Sequence, residues 1–380
     1  MANVLTNLAA DIFKAADVVG RELVGFIPAV TINADGSERV AKGDVVRASF
    51  TRAASPVDVS EAMTIPEGTD QTVDSKTLTI SNSRAVQIPY TGENVLHLNN
   101  GIGFETVYGD QIAQAMRALC NEIEADLAEE AYKNASRAFG TAGTTPFGSN
   151  FSEVAEIRQI LADNGMPMND GQASLVLNTV AGTNLRQLAQ LQKANEAGGT
   201  DLLRQGVLLD LQGLMLRESA QVQSHTKGTG ASILVNGALA AGDTSVDADG
   251  GSGTILAGDV VTFNGDSNKY VVNTALSGGT FAIGAPGAQG AIADNAAITV
   301  GNSYTANMAF HRRALELAIR APAVPNGGDA ADDALTVQDP VSGLVFEVRV
   351  YRGYRKTMIE VAVAWGVKAW KPDYIATLMG

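Results

Sequence analysis

The sequence predicts an α+β chain in which a small all-β module interrupts a larger domain. Three observations carry this reading. One long amphipathic helix stands in the first half, helix-like and strand-like segments alternate after it, and the composition changes abruptly over residues 226–303. Those 78 residues hold 15 of the chain's 40 glycines and six aspartates, with two lysines and no Arg, Glu, His, Met or Trp. Short strand-like pieces at 232–235, 259–263, 269–272, 280–283 and 297–300, divided by Gly, Asp and Asn turns, form a small all-β pattern.

Composition narrows the function classes. Of 380 residues, 45% are hydrophobic, which is enough for large buried cores and excludes wholesale disorder. Against 27 Lys and Arg stand 41 Asp and Glu, a formal net charge of −14. So acidic a chain is poorly suited to gripping nucleic acid through neutralised phosphates. Cys120 is the single cysteine, so no intrachain disulfide can form. The start, Met1-Ala-Asn-Val-Leu-Thr-Asn-Leu8, lacks the basic stretch of a secretory signal. The longest clean apolar run, 361–367, is far short of the ~20 residues that cross a bilayer. These features imply a protein made in a cytoplasm, with no membrane partner.

From the N-terminus, residues 3–24 place Leu5, Leu8, Ile12, Phe13, Ala16, Val19 and Leu23 at three- and four-residue steps. That is one apolar stripe on a helix, and it needs a docking surface in the same copy or a neighbour. Residues 71–90 hold two strand-like runs, 72–80 and 84–90, around the polar Ser81-Asn82-Ser83. They read as a β-hairpin, with Val86, Ile88 and Tyr90 on one face. A hairpin this poor in apolar residues is marginal alone, so neighbouring copies are expected to cover it.

The clearest helix spans 110–139, about 45 Å, with Ile112, Met116, Leu119, Ile123, Leu127 and Ala131 on one face. Asp110 is its expected N-cap, Gly140 its stop, and Glu122, Glu124, Asp126, Glu129 and Glu130 its solvated side. Helices are also expected over 151–165, 183–197 and 307–318, and a strand over 174–178. Residues 345–351 alternate cleanly, and 357–365 return as their antiparallel partner around a basic loop at 352–356.

A search for chemistry finds no enzyme, no cofactor and no metal. Neither phosphate-loop motif occurs in a strand-then-helix setting. Asp247-Ala-Asp249-Gly250 begins like a calcium loop, but the glycine comes two positions early and the twelfth position is Gly258. The pattern is that of a turn. His97, His225 and His311 are far apart in sequence, no G-x-S-x-G is present, and Cys120 reads as a small buried hydrophobe. The basic clusters Arg312-Arg313 and 352–356 fit ion pairing with acidic neighbours.

Several segments, in order, carry a family resemblance. They are Gly165-Met-Pro-Met-Asn169 before Ser-Leu-Val-Leu-Asn178, then Leu203-Arg-Gln-Gly206 followed by Gly213-Leu-Met-Leu216, and Ser224-His-Thr-Lys-Gly228 before the insert. After it come Asn307-Met-Ala-Phe-His-Arg-Arg-Ala314 and Gly366-Val-Lys-Ala-Trp-Lys-Pro372. The chain resembles the major capsid (coat) proteins of tailed bacteriophages with the HK97-like fold, in the branch carrying an Ig-like inserted domain. The insert is shorter than that branch's full inserted domain. The resemblance implies an N-arm and the start of a peripheral domain over 1–49, and an extended β-hairpin loop over 50–92. The peripheral domain with its spine helix falls at 93–150. An axial domain covers 151–225 and, with C-terminal strands, 304–380, interrupted by the inserted β domain at 226–303.

The implied function is structural rather than enzymatic. Copies of the chain self-assemble through hexamers and pentamers into an icosahedral shell. The shell encloses double-stranded DNA without sequence-specific binding, with scaffolding and portal proteins as partners. Its place is the virion, after assembly in the host bacterial cytoplasm. Candidate subunit-interface residues are Leu5, Leu8 and Ile12 on the N-arm, Val86 and Ile88 on the hairpin, and Asp243, Asp247 and Asp249 on loops of the insert. An encapsulin-like nanocompartment shell, which usually lacks such an insert, and a phage surface or tail binding module, which normally carries an export signal, are the alternatives.

Overall fold

The computed structural model describes residues 20–51, 56, 58–59, 61, 63, 73–99, 104–192 and 210–380. Leu5, Leu8 and Ile12, with most of the expected N-terminal helix, lie outside them. The first half carries β1 (Thr31–Val40), β2 (Val45–Thr51), β3 (Val73–Thr79) and β4 (Asn82–Thr91), then α1 (Gly92–Asn99) and α2 (Phe104–Lys133). After β5 (Arg137–Gly140) come α3 (Ser152–Asp163), β6 (Ala173–Asn178), α4 (Thr179–Gln187), α5 (Ala189–Gln192), β7 (Met215–Ser219) and β8 (Ser224–His225). The insert holds β9 (Ile233–Val235), β10 (Ser245–Asp249), β11 (Val260–Phe263), β12 (Lys269–Ser277), β13 (Thr280–Ile283) and β14 (Ala297–Val300). Last follow β15 (Tyr304–His311), β16 (Leu315–Pro322), β17 (Ala331–Gln338), β18 (Val345–Gly353), β19 (Lys356–Ala369) and β20 (Ile375–Met379).

The long strand β19 organises one sheet. The order is β1-β16-β19-β18-β17, and β4 lies along the other side of β19 from Lys356 to Trp365. Side chains of a strand alternate between faces. Accordingly Ile359, Val361, Val363 and Trp365 enter the core beneath α2, whereas Ala364 enters a second cluster with Leu78, Ile80 and Trp370. Gly366 faces that second side, where a Cβ would run into the carbonyl oxygen of Thr79. The Trp365 indole donates to Asp126 Oδ2 of α2 at 2.8 Å, and the Asn82 amide donates to the same oxygen at 2.6 Å.

A second sheet runs β5-β20-β15-β6-β7 and continues through β12 into the insert. Helices α3 and α4 cover one face through Val154, Ile157, Leu161 and Leu185, while Met308, Phe310 and Ile375 face the α2 core on the other. Within the insert the strands close a ring, β11-β14-β9-β10-β13-β12 and back to β11. The ring differs from the two stacked sheets an Ig-like module would have. Its interior has its own core, including Phe263, Tyr270 and Phe281, yet Val260 and Val271 belong to the core of the main body.

Four expectations are corrected. First, the strands at 73–79 and 82–91 do not pair with each other: β3 pairs with β2, and β4 with β19. The chain crosses between sheets at Ile80 and Ser81, whose N–H groups bond to Asp44 O and Trp365 O. Second, the long helix begins at Phe104 and ends at Lys133, so Asp110 lies inside it. The Asn134 amide closes the helix by donating to Glu130 O, and Arg137–Gly140 becomes a strand parallel to β20. Third, 307–318 is strand, 3-10 turn and strand rather than helix. Almost every residue of β15 is buried, so the alternation that marks a half-exposed strand is missing. Fourth, Asp247 and Asp249 sit on strand β10 and not in a loop.

In its new pairing β4 packs Val86 and Ile88 on the core beneath α2, near Ala115 and Ala118, where Ile88 is only 7% exposed in the single chain and Val86 is half-buried. Ile88→Asp buries an unpaired carboxylate and is expected to cost about 3 kcal/mol or more. Thermal melting of the purified variant checks this. A wild-type melting temperature combined with lost assembly would return Ile88 to the subunit interface.

Candidate assembly surfaces

Helix α2 holds the first described residues of the chain in place. Glu124, expected on a solvated face, is fully buried. The N–H groups of Phe26 and Ile27 donate to its two carboxylate oxygens at 3.1 and 2.8 Å, and the Ser219 hydroxyl donates at 2.8 Å. A buried carboxylate requires such donors, because stripping it of water without replacement costs several kcal/mol. Two ion pairs hold the preceding residues. Arg21 binds Asp339 at 2.6 Å, and Arg117 of α2 makes a bidentate pair with Glu22. Cys120 is buried beside them, and burial pushes its thiol up to about 11, so it is no reactive site.

The hairpin that does form, β2 with β3, is a two-stranded sheet. Its root is buried through Leu78 and Ile80, while Val45, Arg47, Ser75, Lys76, Thr77 and Thr79 are exposed. A two-stranded sheet with so many exposed positions is marginal by itself. The alternation of Val46, Ala48 and Phe50 with Arg47, Ser49 and Thr51 was the available signal for β2.

The insert joins the body at an aromatic junction. His225 Nε2 lies 2.8 Å from Asp259 Oδ1, and the His225 ring packs between Tyr132 of α2 and Tyr304 of β15, with ring centroids 5.5 Å away in each case. Asp259 also accepts the N–H groups of Gly228 and Leu256, and the Tyr304 hydroxyl donates to Gly258 O. Gly258 has φ +95°, and a Cβ there would strike the Tyr132 ring. Three remote parts of the sequence thus meet around one imidazole. The other paired histidine, His311, lies at a strand end: its Nδ1 accepts the Arg313 N–H and its Nε2 faces Asp170 at 2.7 Å. Neither arrangement includes a nucleophile, and no group of three or more potential metal ligands occurs among the described residues.

The expected acidic residues of the insert are all exposed. Asp243 caps a turn, accepting the Ala240 N–H, whereas Asp247 and Asp249 alternate with the buried Val246 and Ala248 along β10. The expected basic loop shrinks to a two-residue turn, Tyr354-Arg355, between β18 and β19. No helix among the described residues is long and apolar enough to cross a membrane.

Electrostatics give the subunit a definite acid limit. Hydrogen bonds from Arg117 hold the Glu22 carboxyl down at about 2, and His311 holds Asp170 low. Burial opposes ionisation of Asp339 and Glu347, but Ser342 and Arg21 keep the first low, and Arg39 and Arg349 the second. Carboxyls held low contribute stability above their ordinary range of about 4 and lose it as pH falls toward about 2. Burial pushes Glu124 and Asp373 up, so their contribution has the opposite sign and declines as pH rises. Asp266 and Asp329 are held low as well, so with six groups against two the melting temperature is expected to hold near neutrality and drop below about pH 4. A melting temperature unchanged down to about pH 2.5 would contradict the assigned pairs.

No protein-family model matches this chain, and no curated protein matches it either. Solved structures do. The chain is similar to one in a structure of Mycobacterium phage Che8, covering 99% of this chain and 98% of that one at 13% identity, with TM-score 0.51. It is also similar to one in the capsid structure of the Cyanophage P-SCSP1u, covering 98% and 93% at 11% identity, with TM-score 0.54. The likeness is one of fold, and it extends over nearly the whole chain. The mixed α+β architecture is shared with a phage capsid structure.

Proposed function

We propose that this protein is the major capsid protein of a tailed bacteriophage, with the HK97-like fold. Many copies assemble, through hexamers and pentamers, into an icosahedral shell around double-stranded DNA. The observation that carries this reading is the fold shared with the cyanophage capsid over 98% of the chain. At a similarity of 11% identity the fold speaks more clearly than the sequence.

Two surfaces support the reading. The β2–β3 hairpin has a buried root and exposed flanks, as an arm that lies across a neighbouring copy requires. Glu124 and Arg117 of α2 hold residues 22, 26 and 27, Asp339 holds Arg21, and Leu5, Leu8 and Ile12 are the proposed contacts with another subunit. The net charge of −14 suits a wall that confines DNA without gripping it. Scaffolding and portal proteins are the further partners, and the virion is the final location after assembly in the host bacterial cytoplasm.

Sedimentation velocity of the full chain, expressed with and without a scaffolding protein from the same genome, tests the proposal. Particles of megadalton mass are expected in at least one condition. A chain that stays monomeric in both, at concentrations where capsid subunits assemble, would sink it.

A further inference from the structure

We propose that Asn264 and Asn326 are sites of spontaneous deamidation, each converting to aspartate or isoaspartate, whereas the fold keeps the chemically identical pairs at Asn164 and Asn236 intact. The modification belongs to the chain itself, whatever it assembles into.

Asparagine followed by glycine is the pair most open to this reaction, because no Cβ shields the glycine nitrogen. That nitrogen attacks the asparagine Cγ, and the new C–N bond closes a succinimide ring. The side-chain amide nitrogen leaves as ammonia, taking the proton that the glycine nitrogen gives up. Water then opens the ring at either carbonyl, yielding aspartate, or isoaspartate with the chain running through the former side chain. No oxidant or reductant is needed. The glycine N–H must be free of a partner, and the asparagine side chain must be free to swing over it.

The chain has five such pairs, of which Asn100-Gly101 lies outside the described residues. Asn164 closes α3 with its side chain fully engaged. Its Nδ2 donates to Ser136 Oγ at 3.0 Å and Asp373 O at 2.8 Å, and its Oδ1 accepts from Arg137 at 3.0 Å. The Gly165 N–H donates to Ala162 O at 2.9 Å. Asn236 is exposed, but the Gly237 N–H donates to Asp294 Oδ1 at 2.8 Å, so the attacking nitrogen is tied.

The remaining two pairs are open. Asn264-Gly265 lies between β11 and β12, and Asn326-Gly327 between β16 and β17. Each is the middle pair of a turn: Asp266 N–H donates to Phe263 O, and Gly328 N–H to Pro325 O, both at 3.0 Å. Gly265 has φ +92° and Gly327 φ +96°, the conformation a type II turn asks of its third residue. All four residues are exposed, and a Cβ on either glycine would meet nothing within 4 Å. Neither glycine N–H nor either asparagine side chain has a hydrogen-bond partner among the described residues. The new carboxylates would arise just before Asp266 and Asp329, which already accept the hydroxyls of Tyr270 and Tyr351.

Timed incubation of the full chain in mildly alkaline buffer tests this, with peptic digestion in acid to stop the reaction and mass spectrometry of the peptides. The same chain unfolded in urea supplies the intrinsic rate of each pair. Asn264 and Asn326 are expected to convert at close to that rate. Asn164 and Asn236 are expected to lag by about tenfold or more, since their hydrogen bonds must first open. Asp294→Ala, checked for folding by circular dichroism, releases the Gly237 N–H and should bring Asn236 up to the rate of Asn264. Equal rates at all four positions in the folded chain overturn the proposal, as does protection of Asn264 and Asn326 relative to the unfolded chain. An unchanged rate at Asn236 in the folded Asp294→Ala variant overturns it too.

Discussion

Burial of β19 on both faces is the constraint on which the molecule depends. A strand covered on one face can be held by a helix alone, but β19 carries Trp365 toward α2 and Gly366 toward the β2–β3 root. Filling one side with the largest residue and emptying the other lets helix, sheet and hairpin stack within one layer sequence. Burial of Trp365 also obliges its indole N–H to find an acceptor, which Asp126 supplies. Close packing then makes the arrangement intolerant of changed volume on either side.

The same helix uses its acids twice more. Glu124 gathers donors from residues 26, 27 and 219, and Glu130 accepts the Ala369 N–H at 3.0 Å. Carboxylates that look like a solvated stripe in the sequence are the pins between α2 and three other parts of the chain. The cost of dehydrating them is offset only when every donor is in place. The pins thereby fix residues 26–27 and strands β7 and β19 against α2.

Much of the fold was legible where one face is wet. The stripe from Met116 to Ala131 and the helix over 152–163 follow periodicities that half-burial enforces, whereas the β18–β19 ladder was legible from its alternation of residue types although Phe346–Arg349 and Val361–Gly366 are buried. The abrupt composition change over 226–303 coincides with the ring of strands β9 to β14. Where both faces are dry the signal fails, and β15, rich in Ala, Met and Phe, reads as helix. Pairing was the other loss. Adjacent strands β3 and β4 look like a hairpin, but pairing is decided by which partner buries Leu78 and Ile88, and those partners lie remote in sequence. On the candidate surfaces, the aspartates of the insert were legible as exposed acids. Their strand was not, because Asp and Ser are poor strand formers.

Firm internal pins and an exposed hairpin suit the proposed shell, since rigid bodies can be joined by surfaces that change partner without refolding. Imaging of the particles tests this. Electron microscopy and reconstruction of particles from the full chain should show closed icosahedral shells, with a subunit density that follows α2 along β19 and places the β2–β3 hairpin over a neighbour. Isolated subunits, small closed oligomers, or shells in which that hairpin folds back on its own body would contradict it.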